Sequence, residues 1–334
     1  MDHFESNSSQ GRSGADDFAA GYTAATQAAG VRILTDRAVV RVTGDDRAPF
    51  LHGMCSADIK GAKAGTVLPA LILTEHAHVI AELFVWVADD ALLLDIDVEG
   101  WGRARPHLEK LLVADDVEFD DTNATAVIDA EGPRCAAAAR TIAGDAAELP
   151  AEWRFVAADG VRIGNLARFG GPAVAVLAPR ERADEIAARM VSAVPGARRI
   201  GETVIEAIRI ENGIARAGID TGEKTIALEA RMERAISFSK GCYVGQETIE
   251  RATARGALKK RLLGLKLEGT SLPAAGAPVT QAGKEVGHIT SAALSPRFGA
   301  IGLAILHHSA WTPGTQVSAG NRDAEVCELP FGNS

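Results

Sequence analysis

Apolar positions along this chain gather in short runs separated by Gly, Pro and Asp, and most runs have the length of strands. Val39-Val40-Arg41-Val42 reads as a strand, and Gly44-Asp45-Asp46 as the turn into a helix through Phe50 and Leu51. Leu68 to Leu73, Val79 to Val87 and Leu92 to Val98 supply further strands. The strand–turn–helix order returns at Ala173-Val174-Ala175-Val176-Leu177, where Pro179 precedes a helix from Arg180 to Val191. Two such units predict a duplicated α+β architecture. Gly201 to Ile210 reads as another helix, with Asn212-Gly213 as its C-cap pair. From Leu262 onward the pattern changes. Leu262 to Leu267 and Val286 to Ala293 are strands set between Gly, Pro and Ser-rich turns, which predicts a small antiparallel β-barrel.

The ends and joins complete this division. Residues 1–15 are polar and rich in Ser and Gly, as a disordered tail would be, and an alanine-rich helix follows from about Asp16 to Ala29. Ala143 to Ala151 reads as a surface connection. The expected organisation is a tail (1–15), an N-terminal α+β region (16–142), a second α+β region (143–260) and the barrel (261–334).

Composition narrows the function classes. A chain of 334 residues with 47% hydrophobic and 24% charged residues suits a soluble protein of two or three domains. No stretch approaches the roughly 20 apolar residues of a membrane span, and residues 1–30 lack a signal-peptide core, so a cytoplasmic protein without membrane contact is expected. Cys55, Cys135, Cys242 and Cys327 lie far apart with no CxxC pair, against a zinc knuckle or disulfide framework and in keeping with a reducing compartment. The net charge of −9 argues against direct nucleic-acid binding. A local exception is the run Arg251, Arg255, Lys259, Lys260 and Arg261, which could meet a polyanionic tail or RNA but has the pattern of a solvated helix end. No Walker loop, GxGxxG, GxSxG or HExxH motif occurs, so nucleotide hydrolysis, nicotinamide chemistry and serine hydrolysis lack support.

The candidate chemistry concentrates in Lys240-Gly241-Cys242-Tyr243-Val244-Gly245-Gln246-Glu247. Ala235 to Ser239 alternates like a half-buried strand, and Gln246 to Arg255 reads as a helix. A strand-to-helix junction turns free backbone N–H groups into its loop, and Gly241 and Gly245 would let a ligand approach closely. Cys242, beside Lys240 and a helix N-terminus, is expected to have a lowered pKa and nucleophilic character; the ordinary alternative is a packed thiol. Tyr243 could stack on a flat ligand or fill the core.

This octet resembles the signature of the YgfZ-type folate-binding proteins, relatives of the glycine-cleavage T-protein (aminomethyltransferase). The likeness extends, in order, over roughly residues 20–330. Leu34-Thr35-Asp36-Arg37, Val42 to Arg47 and Phe50-Leu51-His52-Gly53 resemble the family's N-terminal block. Ile208 to Ile214 resembles its R-I-E-x-G-I helix end, and Val286 to Ser291 with Leu294-Ser295-Pro296 its barrel hairpin. The resemblance implies a T-protein-like fold, α+β portions around a central cavity closed by the barrel. It also implies tetrahydrofolate or a one-carbon derivative as cofactor, bound by the N-terminal region and by Gly241, Tyr243, Gly245, Gln246 and Glu247 of the octet, with Cys242 and Lys240 as its reactive pair. Iron–sulfur client or assembly proteins are the implied partners, some of them tRNA-modifying enzymes.

Within that resemblance Glu211 matches the carboxylate that recognises the pterin, which suits a group able to accept two parallel N–H bonds. From position alone it would be a solvated Glu, or one paired with Arg209 or Arg216, in the last turn of its helix. Ala81 stands where the true T-protein carries the first Asp of G-G-V-I-D-D-L, its key catalytic carboxylate. Alanine takes no proton, so conventional aminomethyl transfer is not expected. Glu82 next door should face the other side of the strand and cannot simply replace that Asp. An accessory role is therefore the first reading, with a folate-dependent one-carbon transferase or demethylase as the alternative. Glu75-His76-Ala77-His78 replaces the K-G-R of many relatives; two histidines sharing a strand face could bind a metal, but a third ligand is wanting.

Overall fold

Period-two burial in the apolar runs builds two sheets that lie face to face, each backed on its outer side by helices. The computed structural model describes residues 6–122, 124–143, 149–255 and 258–332. Its helices are α1 (Ser6–Gln27), α2 (Arg47–Met54), α3 (Val98–Leu111), α4 (Cys135–Ala143), α5 (Ala183–Ser192), α6 (Glu202–Glu211) and α7 (Gln246–Arg255). The five-stranded sheet runs in the order Thr66–Leu73, Val79–Val87, Leu92–Asp97, Arg37–Thr43, Glu118–Asp120. The six-stranded sheet runs Arg198–Arg199, Gly30–Leu34, Thr125–Glu131, Ala173–Pro179, Val161–Asn165, Phe155–Ala158. This second sheet draws strands from both sides of residue 143, so the two halves share one core.

The Val79–Val87 strand shows how the pattern positions the site. Ala81, Leu83, Val85 and Val87 pack towards Phe50 and Leu51 of α2 and Trp101, Ala104 and Leu108 of α3. Phe84 and Trp86 face the other way, between the sheets, against Val127, Phe155 and Leu177. Trp86 is fully buried, and a Cβ on Gly164 would lie 2.6 Å from its ring, so glycine is what lets the facing sheet close over the indole.

From Lys260 the chain forms a closed six-stranded antiparallel barrel, as its strand spacing predicts. Its interior holds Leu263, Leu265, Val279, Ile289, Ala304 and Val326. A buried polar network fixes it to α6. Arg209 donates to Asp220 at 2.6 Å, Ser291 at 2.8 Å and the Ile214 carbonyl at 2.8 Å, and Ser291 donates to Asp220 at 2.7 Å. Thr290 donates to the same carboxylate.

Three local expectations change. Helix α1 starts at Ser6 rather than near Asp16, there being no proline in the segment to stop it. Residues 235–239 form no strand: Glu233–Ala235 is a 3-10 turn, and the segment meets Ser56 through single bonds from Ser237 N and to the Ala235 carbonyl instead of a ladder. His76 sits in the turn before the Val79–Val87 strand, with Ala77 at φ 59°, so it shares no strand face with His78. Among the described residues no group of three or more His, Cys, Asp or Glu side chains could hold a metal. The expected connection Ala143 to Ala151 falls partly on residues 144–148, outside the described residues.

Candidate functional site

A cavity of about 450 Å³ opens beside the inter-sheet layer, between the Val79–Val87 strand, the start of α3 and residues 214–219. Alternation along the strand puts Glu82 and Phe84 on its wall while Ala81 is buried on the opposite face. Arg234, from the 3-10 turn, donates to Glu82 Oε1 at 3.1 Å and to the Arg168 carbonyl at 3.0 Å. Glu82 is thus held by one oxygen, and its other oxygen keeps its acceptor capacity. Asp97 caps α3 by accepting from Gly100 N at 2.6 Å, so the helix start forms part of the rim.

The remaining cations of the wall are each anchored from behind. Arg216 pairs with Glu202 at 2.7 Å and Glu206 at 2.8 Å, and Arg32 with Glu202 at 2.6 Å. Arg168 is 4% exposed and spans the gap between the sheets, pairing with Asp95 at 2.6 Å and Asp129 at 2.8 Å. Burial alone would raise the Asp95 pKa, but Arg168 and Arg37 outweigh it and hold the carboxyl below its ordinary value. The opposite holds at Glu131. Burial pushes it well above the usual carboxylate range, Asp129 adds to the shift, and its Oε1 has no hydrogen-bond partner.

A raised native pKa stabilises the fold fully below the unfolded value of about 4.3, and that contribution disappears as pH rises through the native value. Glu131→Gln is therefore expected to match wild type below about pH 4 and to exceed it increasingly in urea unfolding free energy as the pH rises to 8. Parallel pH dependence of the two proteins would refute the assignment.

The octet lies elsewhere, docked on α2. Lys240 is buried, and its ammonium donates to the carbonyls of His52, Cys55 (2.7 Å) and Ala57 (2.8 Å), where it caps the end of α2. It also lies 4.9 Å from the Tyr243 ring centre. Burial pushes its pKa down. Tyr243 is buried in the core with α6 and barrel residues. Gly245 has φ 90°, and a Cβ there would lie 2.7 Å from the Thr74 carbonyl, so this glycine allows close packing on the turn before the Val79–Val87 strand. Gly241 passes His52: its Cβ would lie 3.8 Å from Nε2. Gln246 accepts from Tyr243 N at 3.2 Å and donates to Glu250, and Glu247 pairs with Arg251. Cys242 is exposed on this loop, whereas Cys55 and Cys135 are buried and raised by burial.

Glu211 is buried at the join of α1, α6 and the barrel. Tyr22 donates to both of its oxygens, at 2.8 and 2.9 Å, and Ser295 donates to Oε1. Burial and this bond raise the Tyr22 pKa, which keeps the phenol protonated as donor.

Residues 4–240 match the GCVT N-terminal domain, and residues 260–332 the glycine cleavage T-protein C-terminal barrel domain. The chain belongs to the glycine cleavage T-protein family. It is 27% identical over 302 residues to the aminomethyltransferase of Rubrobacter xylanophilus, covering 87% of this chain and 80% of that one. It is 29% identical over 302 residues to a chloroplastic protein of Arabidopsis thaliana named as a transferase, covering 87% and 68%. The fold matches that of glycine cleavage system aminomethyltransferase T from Bartonella henselae with a TM-score of 0.82, at 19% identity over 93% of this chain and 88% of the other. No helix among the described residues is long and apolar enough to cross a membrane.

The T-protein fold here separates what the sequence placed together. Glu211 binds α1 and the barrel, the octet grips α2, and Glu82 is the strand carboxylate on the cavity wall. Arg168 and Arg234 belong to no motif, and Arg37, although part of the N-terminal block, was not read as a cavity residue. The legible signal was alternation, which sets Glu82 opposite the apolar face of its strand.

Proposed function

We propose that this T-protein family member is a tetrahydrofolate-binding accessory protein that supports iron–sulfur enzymes, without conventional aminomethyl transfer. The observation behind this reading is the strand at residues 81 and 82. Ala81, at the position matched to the T-protein's catalytic Asp, is packed against α2 and α3, and Glu82 faces the cavity with one oxygen on Arg234. The free oxygen of Glu82 suits the N–H edge of a pterin, and the Arg234 guanidinium its acceptor atoms. The exposed Cys242 would meet a client protein from the surface, and Glu211 would position the walls of the folate site from behind.

The reading predicts that deleting the gene lowers the activity of iron–sulfur enzymes in the cell several-fold, and that Cys242→Ser fails to restore it although the variant folds. Full restoration by Cys242→Ser would remove the thiol from the function; unchanged enzyme activity in the deletion would remove the accessory role. A second reading, a one-carbon transferase or demethylase, draws on Glu82 as a cavity carboxylate. Methylene-tetrahydrofolate formed from an amine donor, and lost in Glu82→Gln, would favour it.

A further inference from the structure

We propose that the Arg37–Arg168 end of the cavity is a carboxylate subsite, filled by a small carboxylic acid bound beside the pterin; this rests on the folate reading above.

Asp95 brings the two guanidiniums together. Arg37 Nε donates to Asp95 Oδ1, Arg168 Nη2 donates to Oδ2 at 2.6 Å, and Arg168 Nε is taken by Asp129 at 2.8 Å. Both groups also sit against the Phe84 ring, with the guanidinium carbons 4.4 Å (Arg168) and 5.6 Å (Arg37) from its centre. The two forks are therefore fixed in place before any ligand arrives. On each, the protein satisfies the Nε and Nη2 edge and leaves Nη1 without a partner. The Arg168 Nη1 is buried as well. A buried N–H group without an acceptor is costly, and such groups are normally met by ligand or water.

Two permanently charged guanidiniums converge on one carboxylate, Asp95, and Asp129 reaches only Arg168. Three acids of the same wall are engaged elsewhere, Glu82 by Arg234, Asp36 by Arg216 and Asp97 by the start of α3, and Glu99 stands beside Asp97 in the first turn of that helix. A charged N–H donor from each of two fixed guanidiniums favours a carboxylate, which can take one on each oxygen.

Spacing limits the size of the occupant. Glu82 and Phe84 are two positions apart on one strand, about 7 Å. A pterin on Glu82 and a carboxylate beside Phe84 are neighbours, whereas the glutamyl carboxylates of an extended folate are separated from its pterin by the whole aminobenzoyl ring. A separate small acid fits this spacing; a folate tail is the other source of the same chemistry.

The test is an NMR titration of the intact wild-type protein, reading the arginine Nε–H signals, with acetate and with its neutral isostere acetamide. Acetate is expected to shift the Arg37 and Arg168 signals, acetamide to leave them, and Arg37→Gln to weaken acetate roughly tenfold. Acetate binding should persist in saturating tetrahydrofolate. Equal responses to acetate and acetamide, or none to either, overturn the subsite while folate binding stands or falls by its own titration. Displacement of acetate by tetrahydrofolate, but not by its glutamyl diamide, would overturn the separate acid by assigning the arginines to the folate tail. Acetate selectivity without any folate binding would uphold the carboxylate subsite and refute the folate reading.

Discussion

Asp220→Ala is expected to destabilise the protein by about 3–5 kcal/mol, among the largest effects of any single substitution outside the apolar core. Asp220 is fully buried and is the acceptor for Arg209, Ser291 and Thr290, so its loss leaves the Arg209 guanidinium without its buried counter-charge, the Ser291 hydroxyl without an acceptor and Thr290 with only the Leu303 carbonyl at 3.2 Å. Arg209 keeps Glu206 at 2.6 Å, but that partner lies towards solvent and does not replace a buried charge. Because the network joins α6 to the barrel, the loss falls on the interface between the barrel and the rest of the chain. Urea unfolding measures it directly. A change below about 1 kcal/mol would mean that the network contributes no more than an exposed ion pair.

Glu82→Ala is expected to lower tetrahydrofolate affinity roughly 100-fold, the loss of charge-assisted bonds from a carboxylate to a pterin edge. Thermal stability should change little, because Glu82 is bonded through one oxygen to an arginine that also donates to the Ala167 and Arg168 carbonyls. Glu211→Ala is expected to act the other way. It removes the acceptor of the buried Tyr22 phenol and of Ser295, at a cost of about 1–3 kcal/mol in stability. The two variants side by side distinguish a ligand contact from a structural one. Equal affinity of wild type and Glu82→Ala, with binding lost in Glu211→Ala, would return the pterin to Glu211.

Much of the fold was legible because it depends on periodicity. Alternating apolar positions in Val79–Val87, the capped helix before Asn212-Gly213 and the short strands after Lys260 each carry their structure locally. The sharing of one sheet between the two halves was not legible, since the partners of Gly30–Leu34 are Thr125–Glu131 and Arg198–Arg199, far away in sequence. The site was legible in part. The octet stood out by its composition, yet Lys240 acts on the carbonyls of residues 52–57 and Gly245 on the turn at Thr74, contacts that its spacing does not encode. Arg37, Arg168 and Arg234 come from three distant segments and converge through Asp95, Asp129, Glu82 and the Arg168 carbonyl.

The proposed function requires that this member of the T-protein family bind tetrahydrofolate without conventional aminomethyl transfer. Calorimetric titration of tetrahydrofolate into the wild-type protein, followed by assay of the same sample for methylene-tetrahydrofolate with an aminomethyl donor, tests it most directly. Saturable binding of one equivalent and no turnover are expected. Absence of binding, or turnover at a rate typical of enzymes (about 1 per second or faster), would contradict the proposed function.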